Sequence, residues 1–353
     1  MPGRIVVFGA TGYTGTLTAR ALVEHGMRPV LAGRDTEALG RLAVELGGLE
    51  TAWADADEPR SVRALVEHDD VLVSTVGPYA RYGRAALEAA VDACAHYLDC
   101  SGEPPFIREV FERYGPKARS ALIPAVGYQY LPGILAGALA LDRVGDDGFR
   151  VDIGYFLGGS ELFRGLSAGT LDSVAGVATV PMYTFRGRIH DESHPRVRDF
   201  QVAGRSRPGL SIGAGEHFAL PASYPALYEV NSYLGWFGRG TRPVAMLARG
   251  QATRYGLRLG LSAMARLARR RGGKGTLTSR IVAVAYDAEG ALLTDVHLSG
   301  GDPYEFTANA LSWAACQLSR HMAETGALGP VSAFGLSEVE AGCAMAGIAR
   351  VTG

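Results

Sequence analysis

Residues 4–15 read Arg4-Ile-Val-Val-Phe8-Gly9-Ala-Thr-Gly12-Tyr-Thr-Gly15, and a helical run over Leu17–His25 follows them. An apolar strand therefore leads into a glycine-rich turn that opens a helix, the arrangement that holds the pyrophosphate of a dinucleotide. The first glycine permits a sharp turn, the second lets backbone approach phosphate, and the third lets the helix pack on the strand. The free N–H groups and positive dipole end of the helix then face the anion. The predicted cofactor contacts in this turn are Gly9, Thr11, Gly12, Tyr13, Thr14 and Gly15.

Composition places the chain among globular proteins. It has 353 residues, is 47% hydrophobic and 20% charged, and carries a formal net charge of −1. The longest aliphatic run, Leu131–Leu141, is too short to span a bilayer, and strand residues start almost at once, without a secretory signal. The four cysteines form no Cys-x-x-Cys pair. We therefore expect a cytoplasmic protein without a transmembrane segment, and the near-neutral charge argues against a nucleic-acid partner.

Strand and helix patterns alternate with short connections from Arg4 to Val126. This alternation predicts an α/β fold, a Rossmann doubly wound parallel sheet that binds its ligand at the carboxyl ends of the strands. A second, α+β domain is expected after Gly127, where the pattern changes. The predicted bounds are 1–130 for the nucleotide-binding domain and 131–325 for the substrate and dimerisation domain, with 326–353 packing back on the first domain. A homodimer is expected.

The residues after the second strand indicate which dinucleotide binds. Arg34 is the first residue past that strand, and its guanidinium suits the 2′-phosphate of NADP(H). The alternative is that Asp35 binds the ribose of NAD while Arg34 stays solvated. Asp55, at the end of the third strand, is placed to contact the adenine edge.

Active-tyrosine short-chain reductases share a similar glycine motif but need a Tyr-x-x-x-Lys pair. Only two lysines occur, Lys117 and Lys274, and neither lies four residues after a tyrosine. The sequence therefore argues against that class of enzyme.

Two further stretches carry a family resemblance. The fourth strand leads into Gly77-Pro-Tyr-Ala-Arg-Tyr-Gly83, and the fifth ends Tyr97-Leu-Asp-Cys-Ser-Gly-Glu103. These residues resemble the saccharopine dehydrogenase-like family, which carries a Gly-Pro-Tyr-x-x-x-Gly loop and a Tyr-x-Asp-x-x-Gly-Glu strand end. The chain looks most like the branch of trans-acting enoyl reductases and uncharacterised oxidoreductases of actinobacteria. The resemblance covers Ile5 to about Gly137 and returns more weakly in 165–170, 299–307 and 326–347.

The sequence departs from that branch after the sixth strand. The branch commonly has Gly-Phe-Asp-Ser-x-Pro-Ser-Asp, whereas this chain has Gly127-Tyr-Gln-Tyr-Leu-Pro-Gly133. The departure puts the usual substrate of the branch in doubt. The amino-acid-binding arginines of true saccharopine enzymes cannot be placed here, so the resemblance does not imply lysine metabolism.

The loop after the fourth strand is expected beside the nicotinamide ribose, through Thr75, Val76, Gly77 and Pro78. Three residues are candidates for catalysis: Tyr79, Glu103 and Tyr128. Tyr79 is expected to project toward the nicotinamide face, either as a proton donor or only packing on the cofactor. Glu103 could instead favour the amino terminus of the next helix, and Tyr128 with Tyr130 could wall the substrate.

A basic interval follows Glu229, because no acidic residue occurs before Asp287 while eleven basic residues do. Apolar residues at helical spacing predict a helix over Arg254–Arg271. Three interpretations stay open: docking of an acyl carrier protein or coenzyme A thioester, contact with an anionic membrane surface, or an ordinary solvated face. His190-Asp-Glu-Ser-His194 has metal-like spacing but is interpreted as a surface loop, and no metal site is expected.

Together these features predict an NADPH-dependent oxidoreductase acting on a small molecule. The favoured reaction is reduction of a polarised C=C bond of enoyl or polyketide type in bacterial secondary or lipid metabolism. Two alternatives remain: an NADPH-dependent reductase of C=N bonds, and a non-catalytic NADP(H)-binding module.

Overall fold

The computed structural model describes residues 3–158, 182–248, 278–320 and 324–351. The chain forms two compact units. The first comprises Met1–Gly102, Phe106–Leu131 and Pro303–Gly347, and the second comprises Glu103–Pro105, Pro132–Asp302 and Ile348–Gly353.

The first unit is built on a sheet whose paired strands are all parallel. Its strands are β1 (Ile5–Phe8), β2 (Val30–Gly33), β3 (Thr51–Trp53), β4 (Val71–Ser74), β5 (His96–Asp99), β6 (Ala121–Ile123) and β15 (Gly326–Ala327). The spatial order is β15-β6-β5-β4-β1-β2-β3. The first strand, β1, thus lies inside the sheet, and the strand order reverses between β1 and β4. The carboxyl ends of these two strands form the crevice where such sheets bind ligands.

Helices connect these strands, as a parallel sheet requires. They are α1 (Tyr13–Glu24), α2 (Thr36–Glu45), α3 (Pro59–Arg63), α4 (Tyr79–Ala93) and α5 (Pro104–Glu109), the last continued by a wider turn over Val110–Tyr114. The strands β1 and β4 are buried along their whole length because helices cover both faces of the sheet. Their aliphatic residues form the core of this unit.

The predicted bounds of two elements were wrong. From the sequence alone, the helix after β4 is expected over Gly83–Ala93. It begins instead at Tyr79, because Pro78 occupies the position before its first turn. The strand expected to reach Val126 ends at Ile123, because Ala125 takes a left-handed conformation with φ of +62°. The N–H of Ala125 donates to Asp99 Oδ1 at 2.8 Å rather than to a carbonyl of a neighbouring strand.

The second unit is built on a mixed sheet. Its strands are β7 (Arg150–Gly158), β8 (Met182–Arg186), β9 (Ile189–Glu192), β10 (Val197–Val202), β11 (Arg205–Ile212), β12 (Glu229–Leu234), β13 (Thr278–Tyr286), β14 (Leu292–Gly300) and β16 (Ile348–Arg350). The order is β10-β11-β12-β7-β13-β14-β16, and β8 pairs with both β12 and β9. The described helices are α6 (Leu131–Val144), α7 (Glu216–Ser223) and α8 (Thr241–Leu247). Alternating apolar residues over Thr276–Tyr286 and Ala291–Ser299, on either side of Asp287–Gly290, predict a hairpin, and β13 and β14 form it within the described residues.

The carboxyl-terminal segments divide between the units at points that differ from the predicted bounds. The second domain was expected to end at 325, but α9 (Pro303–Arg320) belongs to the first unit. It packs on α1, where His25 Nδ1 lies 2.9 Å from Ser312 Oγ. The helices α10 (Pro330–Phe334) and α11 (Leu336–Met345) follow in the first unit, whereas β16 pairs with β14 and so joins the second.

Candidate functional site

The turn between β1 and α1 has the geometry that its glycines predict. Gly9 adopts a φ of +88°, and its N–H and that of Ala10 both donate to the carbonyl of Ala32, at 2.9 and 3.1 Å. Thr75 fixes the turn from the neighbouring strand, because its hydroxyl donates to the carbonyls of Phe8 and Gly9 at 3.0 and 3.2 Å. The turn is therefore held from both sides of β1.

Glycine is also required at the start of α1 for close packing. A β-carbon at Gly15 would lie 2.2 Å from the carbonyl oxygen of Gly9, and one at Gly12 would lie 3.2 Å from the same oxygen. Gly12 precedes the first residue of α1, and no side chain caps the helix there. The amino terminus of α1 therefore presents backbone N–H groups without a competing side-chain acceptor, which fits a bound pyrophosphate.

The two residues that follow β2, Arg34 and Asp35, have different surroundings. Asp35 is the residue before α2, and its Oδ1 accepts the N–H of Ala38 at 2.9 Å. Arg34 is exposed, and none of the described residues binds its guanidinium. Because the carboxylate of Asp35 already caps a helix while Arg34 is open to solvent, the geometry favours recognition of a 2′-phosphate over recognition of a ribose diol.

Asp55 lies at the same edge of the sheet, after β3. Its Oδ1 accepts the N–H of Asp57 at 3.0 Å, and its own N–H donates to the hydroxyl of Ser61 at the same distance. The half-buried side chain thus sits in a structured turn. Contact with the adenine edge stays a prediction.

The loop after β4 carries the remaining predicted cofactor residues. Thr75 and Val76 are half-buried, whereas Gly77 and Pro78 are exposed at the start of α4, and the bond between these two is cis. The exposed pair borders the crevice between β1 and β4. A cofactor lying there could therefore contact this backbone closely.

Tyr79 does not project from this loop as the sequence suggested. Its side chain is 6% exposed, and its hydroxyl donates to the carbonyl of Ser74 at 2.9 Å and lies 3.3 Å from Cys100 Sγ. The ring packs on Phe106 with centroids 5.6 Å apart. Burial, followed by the charge of a Cys100 thiolate, raises the pKa of Tyr79 well above 10. Since α4 begins at this residue, its side chain turns into the core and packs on protein residues, rather than projecting toward the nicotinamide face as a proton donor or as a surface for the cofactor.

The other aromatic and acidic candidates lie in loops at the carboxyl edge of the first sheet. Tyr128 and Tyr130 are 5% and 1% exposed, and the hydroxyl of Tyr130 donates to the carbonyl of Gly102 at 3.3 Å. Glu103 is half-buried and directly precedes α5, where a carboxylate favours the helix dipole. Their predicted roles toward a substrate stay predictions.

Sequence reasoning missed a buried acid in the second unit. The hydroxyl of Tyr155 in β7 donates a short hydrogen bond to Oε1 of Glu216, the first residue of α7. Burial raises the pKa of Glu216 to about 8 and lowers the pKa of the adjacent His217 to about 4. Gly133 packs directly over the pair, since a β-carbon there would lie 1.8 Å from the Tyr155 hydroxyl. In the sequence, Glu216 directly follows Gly213-Ala-Gly215 but belongs to no motif that sequence reasoning recognised.

The remaining predictions are only partly covered by the structure. Most of the basic interval, including the helix predicted over 254–271, lies outside the described residues, as does 165–170. Arg242 forms an ion pair with Asp199 at 2.7 Å. The predicted surface loop over His190–His194 is only partly correct: His190 belongs to strand β9, which pairs with β8, whereas Ser193 and His194 lie exposed beyond the strand. Within the described ranges no group of three or more His, Cys, Asp or Glu residues could hold a metal ion, and no helix is long and apolar enough to cross a membrane.

Comparison with known families identifies the first domain. Residues 5–126 match the family described as the saccharopine dehydrogenase NADP binding domain. This region therefore resembles an NADP-binding domain, in agreement with the predicted cofactor NADP(H). A contact between Arg34 and that cofactor stays a prediction.

Curated relatives match the same region. A trans-acting enoyl reductase of Mycobacterium bovis is 36% identical over 140 residues, which cover 37% of this chain and 34% of the relative. One from Mycobacterium ulcerans is 33% identical over 153 residues, covering 41% of this chain and 37% of the relative. The chain spans about a third of the length of the curated relatives it matches.

A solved structure shows the fold of the whole chain. Saccharopine dehydrogenase (L-Glu forming) from Saccharomyces cerevisiae aligns with 99% of this chain and 100% of its own, with a TM-score of 0.59 and 11% identity. The prediction of a doubly wound parallel sheet with a second α+β domain is thereby confirmed. At this identity the likeness carries the fold and not the substrate.

Proposed function

We propose that this chain is an NADPH-dependent reductase that transfers hydride to a polarised C=C bond of an enoyl or polyketide-type substrate. The observation that carries the proposal is the strand–turn–helix at Gly9–Gly15 together with the two residues after β2. The exposed guanidinium of Arg34 is bound by none of the described residues, and the carboxylate of Asp35 caps α2. These features provide sites for a pyrophosphate and a 2′-phosphate at one edge of a sheet. The names of the enoyl reductase relatives supply the substrate class.

In this proposal NADP(H) lies across the carboxyl edge of the first sheet. The amino terminus of α1 would hold the pyrophosphate, the residues after β2 and β3 would hold the adenosine half, and Gly77 and Pro78 would border the nicotinamide. Parallel sheets bind dinucleotides across the point where the strand order reverses, which here is the crevice between β1 and β4. When bound, NADPH supplies the hydride, and the protein contributes binding and orientation.

The proton that completes the reduction comes from a group other than Tyr79 in this proposal. The Tyr79 hydroxyl already donates to the carbonyl of Ser74, and its raised pKa makes it a weaker acid than an exposed tyrosine. Glu103 and Tyr128 remain candidates for this role, with solvent as the alternative source. A substrate carried by an acyl carrier protein or coenzyme A and a homodimeric assembly stay predictions as well.

The test follows the hydride. The full chain is incubated with NADPH deuterated at C4, in separate samples of each stereoisomer, and with enoyl thioesters, unsaturated ketones and cyclic imines, and products are read by mass spectrometry. We expect deuterium on the carbon β to a carbonyl. Gly15→Ala should abolish the transfer because a β-carbon there meets Gly9, and Gly40→Ala, where nothing lies within 4 Å, should retain it.

Other outcomes decide between the alternatives. Deuterium on a carbon attached to nitrogen would replace the proposal by the C=N reductase. Cofactor binding without transfer to any compound, including those of a host metabolite extract, would favour the non-catalytic module.

A further inference from the structure

Four polar side chains form a buried group at the carboxyl ends of β4 and β5. Ser74, Tyr97 and Asp99 are fully buried, and Ser101 is 1% exposed. In each, one side-chain oxygen makes no hydrogen bond of ordinary geometry with the described residues: Ser74 Oγ, the Tyr97 hydroxyl, Asp99 Oδ2 and Ser101 Oγ. The Tyr97 side chain nevertheless lies close enough to interact with Ser74 and Asp99, and Ser101 with Asp99. Buried polar atoms are almost always bonded, so a group of four such oxygens points to a function. We call these residues the β4–β5 cluster.

The strand register brings the cluster together. Ser74 pairs with Asp99 where β4 and β5 end, and Tyr97 lies two residues before Asp99, on the same face of β5. The other oxygen of Asp99, Oδ1, accepts the N–H groups of Ser101 and Ala125, both at 2.8 Å. The carboxyl group is therefore anchored through one oxygen, and the second remains available to hold or lose a proton.

No cation faces Asp99 within the described part of the first unit. The titratable groups near it are Tyr79 from α4, Tyr97 from β5 and Cys100 directly after β5, while the packed residues of β6 and α5 are apolar. The helix α9 also packs on β4 and β5, and its buried titratable group is Cys316. Burial raises the pKa of Asp99, and the N–H groups of Ala125 and Ser101, together with the side-chain hydroxyls of Ser101 and Tyr97, oppose this only in part. A positive charge arriving near the cluster would favour the ionised form.

We propose that Asp99 couples protonation to the redox state of the bound cofactor, releasing its proton when NADP⁺ binds and keeping it when NADPH binds. The nicotinamide ring of NADP⁺ is positively charged, whereas that of NADPH is neutral. The inference rests on the proposed function, which sets this ring beside Gly77, three residues after Ser74. In that arrangement the charge of the ring would change the protonation of Asp99 in the β4–β5 cluster.

The coupling is measured by isothermal titration calorimetry of the full chain with NADP⁺ and with NADPH. Titrations in two buffers of different ionisation enthalpy, at steps over about pH 5 to 9, give the number of protons released by each nucleotide. Both nucleotides carry the 2′-phosphate, so the difference between them isolates the effect of the ring charge. We expect NADP⁺ to release up to one more proton per chain than NADPH. Its affinity should rise by up to about tenfold per pH unit where Asp99 titrates.

Two variants localise the effect. Asp99→Asn should remove the difference in proton release, and the exposed Asp57→Asn should retain it. Tyr97→Phe should move the release to higher pH, because the carboxylate loses a neighbouring hydroxyl. If Asp99→Asn does not fold, the wild-type difference and the shift in Tyr97→Phe decide the question.

The outcomes separate the inference from the proposed function. Equal proton release by two nucleotides that both bind would overturn the role of Asp99 and leave the cofactor site standing. Failure of either nucleotide to bind would overturn both.

Discussion

At the scale of single residues, Gly15 has the most restrictive environment of the cofactor turn. A β-carbon there would meet the carbonyl oxygen of Gly9 at 2.2 Å and Thr75 Oγ1 at 2.8 Å. The first contact is with backbone that cannot rotate away. Gly15→Ala must therefore move α1 away from β1, and we expect it to lower the free energy of unfolding by about 1–3 kcal/mol. Urea denaturation measures the loss, and NADPH fluorescence measures the accompanying loss of binding.

Gly40 supplies the matched control for this substitution. It lies in the middle of α2, is exposed, and has no atom within 4 Å of the position of an added β-carbon. Gly40→Ala should stabilise the protein by about 0.5–1 kcal/mol, because alanine has the higher helix propensity. Equal destabilisation by both variants would show that the contact with Gly9 is not what makes glycine necessary at position 15.

Arg34 decides the choice between the two nicotinamide cofactors in our proposal. Charge-assisted hydrogen bonds contribute about 1.5–3 kcal/mol each, so Arg34→Ala should weaken NADPH binding roughly tenfold to a hundredfold. Binding of NADH, which lacks the 2′-phosphate, should hardly change. Arg41→Ala is the control, since Arg41 is also exposed but pairs with Glu37 on α2. Fluorescence titration with both nucleotides measures the selectivity, and equal losses for NADPH and NADH would contradict the role.

At the scale of elements, the beginning of α2 shows how a local cap removes an ambiguity. From sequence, Asp35 could bind the ribose of NAD, but the structure uses its carboxylate to accept the N–H of Ala38. Asp35→Ala should therefore lower the free energy of unfolding by about 1 kcal/mol, while Asp35→Ser, which keeps a capping oxygen, should not. The ratio of NADPH to NADH affinity should be the same in both variants. A selective change in NADH binding would assign the carboxylate to the cofactor instead.

The beginning of α4 shows where element prediction fails. The strand, the proline and the glycines around residues 77 and 83 were all recognised, yet the helix starts four residues earlier than expected. Gly83 was interpreted as the start, whereas it lies inside the helix. Glycine is required there because a β-carbon would be 2.7 Å from the ring of Phe106. A packing requirement of this kind comes from a residue distant in sequence. The sequence therefore predicted the loop but not the direction of Tyr79.

At the scale of the whole molecule, the pH dependence of stability should reflect the buried pair Glu216 and His217. Folding raises the pKa of Glu216 from 4.5 to about 8, so the folded protein holds a proton that the unfolded chain has lost. Stability from this group is complete below about pH 4.5 and decreases as the pH rises toward 8. Folding lowers the pKa of His217 from 6.5 to about 4, so its contribution increases with pH between these values.

The two effects oppose each other at acidic pH and separate near neutrality. Between about pH 4.5 and 6.5 they should cancel, and between 6.5 and 8 the loss from Glu216 should remain, at about 1.4 kcal/mol per pH unit. Glu216→Gln keeps an acceptor for Tyr155 but cannot ionise, so the decrease above pH 6.5 should disappear. Urea denaturation followed by circular dichroism at several pH values measures this. A decrease that persists in the variant would assign it to other groups.

The sequence by itself determined the features that depend on neighbours along the chain. The strand–glycine–helix order, the arginine after β2 and the alternation of strands with helices are local patterns, and they led to the NADP-binding domain and its sheet. Only the tertiary structure decided which side chains enter the core. It turned Tyr79 inward, gathered Ser74, Tyr97, Asp99 and Ser101 without exposing them, and joined Tyr155 to Glu216 across 61 positions. The physical reason is that burial and the register between strands are set by residues far apart in sequence, whereas turns and caps are set by adjacent ones.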